Sequence, residues 1–223
     1  MNLSGIVLLS LPLSLLLGWT GSSEAETADS LVEWNFDQAS ARTLPPQFSI
    51  GTLFDGRPAG DWQVLKTDRA KSPPNVLAQL MPKGAEHGYK VVLIQGTDSA
   101  DIELEVSLLP IGGKADMGGG LIWRASDDRN YYLARANPLE QNIRIYRVVK
   151  GLRHLLKNFD QIIDLRRWHT LRVTMNGCQV QVFFDQQLVF DLCDETFTGE
   201  GLVGLWTKSD AVTYFDNLRL QRQ

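Results

Sequence analysis

The chain has 223 residues, 43% of them hydrophobic and 22% charged, with a formal net charge of −4. That apolar share supports a sizeable core. The acidic balance excludes the basic footprint of a nucleic-acid binder, and no block of like charge marks an interaction tail.

Residues 6–17 are almost wholly apolar and are followed by a small, polar stretch over residues 18–30. The apolar run is too short for an ordinary membrane span and has the length of a signal-peptide core. The expectation is a leader over residues 1–25, cut after Ser23-Glu24-Ala25, and an exported protein: periplasmic, extracellular or at the cell surface. Residues 1–5 carry no Lys or Arg, so an uncleaved anchor is the alternative. No Cys follows the apolar run, which argues against a lipoprotein anchor.

Beyond the leader no long amphipathic helix or second membrane span is expected. Short alternating runs separated by turn residues point to an all-β, two-sheet antiparallel sandwich. Residues 26–223 form one domain, since no fixed-period repeat or low-complexity linker divides them. Strands are expected over residues 31–36, 62–65, 75–80, 89–94 and 101–108, with residues 37–60 irregular. The clearest section begins at Gly118, with strands over 119–125, 131–136, 142–149 and 152–156. Further strands cover 168–175, 178–184, 187–192, 202–208 and 212–220. The Asn176-Gly177 pair between two alternating runs is a strong hairpin signal.

A turn at residues 127–130 that sets Ser126 opposite Tyr131 puts Arg124 opposite Leu133. Side chains two apart share a face. One face then holds Leu121, Trp123 and Ala125 with Tyr132, Ala134, Ala136, Ile143 and Ile145, and reads as core. The other holds Ile122, Arg124, Tyr131, Leu133, Arg135, Arg144 and Tyr146. Unpaired charges rarely sit in a core, so this second face is expected to be open to solvent or to line a groove. Arg and Tyr supply forked donors for hydroxyls and aromatic faces for sugar C–H surfaces. Arg124, Tyr131, Arg135, Arg144 and Tyr146 are therefore candidate ligand residues, joined by Trp206 and Lys208 from GLWTKSD, whose side the turn register does not fix. A plain solvated sheet face is the alternative.

Three stretches carry a resemblance: GGGLIWRASDDRNYYLARANPLEQNIRIYRVVKG (118–151), WHTLRV (168–173) and GLVGLWTKSDAVTYFDNLRL (201–220). They resemble concanavalin-A-like jelly rolls, nearest to laminin-G-like domains and to 3-keto-disaccharide hydrolase domains. The likeness to family-16 glycoside hydrolases is more distant. It implies two curved antiparallel sheets with ligand on the concave face or its rim. The implied functions are carbohydrate binding without catalysis, hydrolysis of a 3-keto-disaccharide-like glycoside, or protein interaction of the laminin-G kind. It also implies a structural calcium site: Asp216 in YFDNL resembles the C-terminal calcium aspartate of such folds, with Glu33 or Asp37 as a second carboxylate. In the alternative, Asp216 only caps a turn.

Other candidate chemistry is thin. Asp101, Glu103 and Glu105 alternate along one strand, as a glycosidase acid pair requires, but their order and place in the chain differ from the family-16 pattern. A solvated strand face is the better account. His87, His154 and His169 lack metal-ligand spacing, and His169 alternates with Leu171, Val173 and Met175 as a core-edge residue would. If Asp185-Gln186 is a two-residue turn, Cys178 faces Cys193 directly, at a separation that suits a disulfide.

Overall fold

The computed structural model describes Met1, residues 31–83 and residues 88–223. Apart from Met1, the expected leader lies outside the described residues, and so does His87. The described residues form strands β1 (Leu31–Trp34), β2 (Phe48–Ile50), β3 (Trp62–Lys66), β4 (Asn75–Gln79) and β5 (Tyr89–Ser99). There follow β6 (Ile102–Gly112), β7 (Gly119–Asp127), β8 (Asn130–Asn137), β9 (Asn142–Val149) and β10 (Leu152–Asp160). The last are β11 (His169–Asn176), β12 (Gln179–Phe184), β13 (Gln187–Cys193), β14 (Gly201–Lys208) and β15 (Val212–Arg222). Among the described residues no helix is long and apolar enough to cross a membrane.

Two antiparallel sheets result. The first runs β13-β12-β11-β6-β15-β4-β3, with β1 added beside β15. The second runs β10-β9-β8-β7-β14-β5-β2. Alternation of side chains makes the sandwich: in β11 the buried set is His169, Leu171, Val173 and Met175, while the residues between them are only half-buried. Leu171, Val173 and Met175 meet Leu121, Trp123, Tyr132, Ala134, Ile143 and Ile145 of the second sheet in one apolar cluster. Removing each large side chain from water contributes about 1.5–3 kcal/mol.

Residues 37–60, expected to be irregular, contain β2, which pairs with β5 over only three residues. Its partner is far away in sequence, so no local hairpin signal marks it. The register of β7 against β8 also departs from the even two-residue hairpin. Asp127 pairs with Asn130, but Trp123 already pairs with Tyr132, so the intervening β7 residues bulge. Ile122, not Arg124, lies opposite Leu133. Arg124 sits in the bulge with φ of +47°. Leu121, Trp123, Tyr132, Ala134 and Ala136 still face the core, because the slip moves the strand by an even number of residues, whereas Ala125, expected with them, lies within the bulge and packs in the cluster on the opposite face.

Candidate functional site

The face of the second sheet that turns away from the core carries its own apolar floor. Ile122, Tyr131, Leu133, Val148, Val91 and Trp206 are buried there as a separate cluster. The expected open face is therefore layered rather than simply solvated: arginine and aromatic side chains lie across smaller apolar ones. Gly120 makes room for this. It pairs with Arg135 on one side and Trp206 on the other. A Cβ on Gly120 would fall 2.2 Å from the Ala134 carbonyl oxygen and 2.8 Å from Arg135 Cβ.

On this floor stands an ion cluster. Arg135 pairs directly across from Arg144, a repulsive pair on its own. Glu140 resolves it, accepting from Arg135 Nη2 at 2.9 Å and from Arg144 Nη1 at 2.8 Å. The turn that delivers Glu140 is held by Asn137, whose side-chain oxygen accepts from the Leu139 and Glu140 amides. Burial acts to raise the Glu140 pKa, but Arg135, Arg144 and Asn142 outweigh it and hold the carboxyl below its ordinary value. Arg135 also donates to Asn142 and lies 3.5 Å from the Tyr146 hydroxyl. Arg135 and Tyr146 are buried, whereas Arg144 and Glu140 keep 31% and 40% of their side chains exposed.

Beside this cluster, Lys208 forms an ion pair with Asp116 at 3.1 Å. Asp210 accepts from the amides of Lys114, Ala115 and Asp116 and so fixes the loop that presents Asp116. Burial raises the Asp116 pKa above the usual carboxylate range, partly offset by Lys208 and Arg135. The other flank is aromatic. The Arg153 guanidinium lies 5.0 Å from the ring centre of Tyr89, 4.9 Å from that of Tyr146 and 5.5 Å from that of Trp206. Its Nε donates to the Tyr89 hydroxyl at 3.0 Å.

The structure brings together Arg135, Arg144, Tyr146, Trp206 and Lys208 from the expected ligand set. Arg124 is a correction. It is 4% exposed, and its side chain is spent on the carbonyls of Ala100, Phe197 and Gly177 and on Asp101. The bulge turns it toward the end of the sandwich. Tyr131 lies under the face with no exposure, so it supports the surface rather than presenting itself there.

Sequence reasoning missed Tyr89, Asp116, Glu140, Asn142 and Arg153. Arg153 was within reach: carrying the register through the Lys150-Gly151 turn puts it opposite Val148, on the Tyr146 face. Tyr89 was not, because it joins only through the non-local pairing of β5 with β14.

The other candidates lie elsewhere. Cys178 and Cys193 are joined by a disulfide with Cα atoms 4.8 Å apart. The β12–β13 ladder slips by one residue, however, so Cys193 faces Gln179 and Cys178 sits in the turn beside it. Glu103 and Glu105 flank Arg172 on the outer side of the first sheet, while Asp101 binds Arg124 and the Gly177 amide. His169 is buried against Asp185 Oδ2 and the Asp164 carbonyl, at 2.8 and 2.7 Å.

Asp216 is fully buried and accepts from the Ser72 amide and hydroxyl. Glu33 pairs with Arg219 at 2.7 Å, and Asp37 lies against the Asn75 amide. The carbonyls of Phe36, Asp37 and Ala39 converge on Asn75 Nδ2. Among the described residues no group of three or more His, Cys, Asp or Glu is gathered as a metal site.

No protein-family model matches the chain. It is 25% identical over 139 residues to a levanase of Bacillus subtilis, a match that covers 61% of this chain and 20% of the levanase. The chain thus aligns with about a fifth of that protein's length. The carbohydrate-binding module CBM66 from Bacillus subtilis superposes with a TM-score of 0.63 at 19% identity, over 78% of this chain and 95% of that one. The GH43 protein BlXynB from Bacillus licheniformis gives a TM-score of 0.58 at 14% identity, over 86% of this chain and 39% of that one. These structural likenesses establish the fold as a lectin-like jelly roll.

Proposed function

We propose that the chain is a carbohydrate-binding domain that holds its glycan on the outer face of the second sheet, at the partly exposed Glu140 and Arg144, with the buried Arg135 and Tyr146 fixing them from beneath. One observation carries the reading. On a face whose floor is apolar, a carboxylate and two guanidiniums are held in fixed positions next to aromatic rings. Fixed donors and acceptors match paired sugar hydroxyls, and ring faces match sugar C–H surfaces. Rigid placement lowers the entropy lost on binding. The names of the levanase and of the binding module point the same way, and a carbohydrate-directed domain with this N-terminal stretch fits export. A glycan array with the full-length protein tests the reading. Binding of a defined glycan supports it, and binding of none overturns it.

A second reading, hydrolysis of a glycoside, is favoured by two carboxyls on this face, Asp116 paired with Lys208 and Glu140 held between Arg135 and Arg144. Asp116 is raised and Glu140 lowered, the division of labour a glycosidase acid and its ionised partner need. Release of reducing sugar from a bound glycan, lost in Asp116→Asn, would establish it. Binding without turnover would exclude it for that glycan.

A further inference from the structure

Arg153 differs from the other cations on this face. Arg135 and Arg144 share Glu140, and Lys208 has Asp116. Among the described residues Arg153 has no carboxylate within ion-pair distance, and Asp128 at the neighbouring turn is engaged by the Thr52 amide and Arg129. Three rings surround the Arg153 guanidinium at 4.9–5.5 Å, and its Nε is spent on Tyr89. That grip fixes the plane of the group. Its two terminal amino groups, with four N–H donors, make no hydrogen bond to any described residue.

A half-buried, oriented fork of donors with an uncompensated charge has one best complement: a planar pair of oxygens carrying negative charge. A neutral diol satisfies the hydrogen bonds and leaves the charge unmatched. We propose, resting on the carbohydrate-binding reading above, that Arg153 selects an acidic saccharide, with a sugar carboxylate seated against its outer edge. A sulfate ester shares the charge and the acceptor oxygens but not the planar two-oxygen match. The aromatic rings hold Arg153 in place, and Tyr89, the one of the three that is only half-buried, offers its remaining surface to the sugar ring, so charge and stacking act on the same residue of the glycan.

Titration calorimetry on the full-length protein tests this with three tetrasaccharides: a galacturonate oligomer, its methyl ester and a sulfated galactan. The expected result is binding of the galacturonate at least about tenfold tighter than the ester, the scale of one charged hydrogen-bonded contact. The preference should shrink as salt is raised and disappear in Arg153→Gln, the affinity for the acid falling to that for the ester. Tight binding of the sulfated oligomer alone would assign the anion to a sulfate ester and keep the charge selection. Equal affinity for acid and ester would overturn the proposal and leave carbohydrate binding standing, whereas binding of none of the three would remove its basis as well. An equal loss for acid and ester in Arg153→Gln would also overturn it, by making Arg153 a general contact. If that variant unfolds, Arg153→Met keeps most of the stem without the charge or the fork, and must lose the acid preference.

Discussion

Lys90 lies on the core side of β5, the side of Val92 and Ile94, and is 1% exposed. Among the described residues its amino group reaches one acceptor, the Met81 carbonyl. Burial lowers its pKa from 10.5 to about 8, against a small opposing effect of Asp210. Between those two values the unfolded chain holds more protons than the folded one, so stability rises with pH across that window. From pH 7 to 9.5 the unfolding free energy should rise by about 1–2 kcal/mol more than in Lys90→Met. At pH 7 that variant should be the more stable protein, because it no longer buries a charge. Urea melts at both pH values decide it, and a parallel pH response in the two proteins would refute the account. Arg124 is the opposite kind of buried cation. Four acceptors surround it, and Arg124→Ala strands them. The expected loss is about 3 kcal/mol in a denaturant melt, without a matching change in glycan preference.

At the scale of elements, the disulfide closes a 15-residue separation across the β12–β13 hairpin at the edge of the first sheet. A loop of that size corresponds to about 3 kcal/mol in the chain-entropy account. The double variant Cys178→Ser, Cys193→Ser should therefore melt earlier yet bind glycan normally, since the proposed site belongs to the other sheet. The join of β1, β4 and β15 has a different test. If calcium ties Asp216 to the Asp37 turn, a chelator lowers the melting temperature of the purified protein. An unchanged melt means that Asn75 and Ser72 hold the join alone.

The strands and faces were legible where alternation and turn chemistry act locally, as in β8, β9 and β11. What escaped was set by bulges and long-range pairing. Two extra residues in β7 moved Arg124 out of the ligand set, and a one-residue slip in β13 changed the partner of Cys193. The burial of Tyr131 was hidden too, because alternation says which side of a sheet a residue takes and not what lies over it. Glu140, which neutralises the facing arginines, comes from a turn, where strand periodicity carries no information.

At the scale of the whole molecule, two groups of partly buried carboxyls among the described residues give acid stability its shape. Burial acts to raise Glu140, Asp185, Asp194 and Asp210, but hydrogen bonds and neighbouring cations prevail and hold them below their ordinary values. Burial raises Asp116 and Asp216, and their partners only reduce the shift. The two groups act in opposite directions. A raised carboxyl takes up its proton more readily in the folded state, so folding strengthens as pH falls through its folded pKa toward the unfolded value of about 4. A lowered carboxyl contributes fully above about pH 4, and its contribution is lost as pH falls further through its folded pKa. Stability should therefore not fall on going down from pH 7, should rise slightly as the raised carboxyls take up protons above about pH 4, and should drop below it. Asp116→Asn should flatten the upper limb, because it removes one proton uptake. It should leave most of the lower limb in place, because Asp185 and Asp194 share no contact with Asp116 and Asp210 holds only its backbone amide. Urea midpoints collected from pH 7 to 3 on both proteins measure the two limbs separately. A steady decline from neutral pH in the wild type, or an upper limb unchanged in Asp116→Asn, would show that the buried carboxyls are not what shapes the curve.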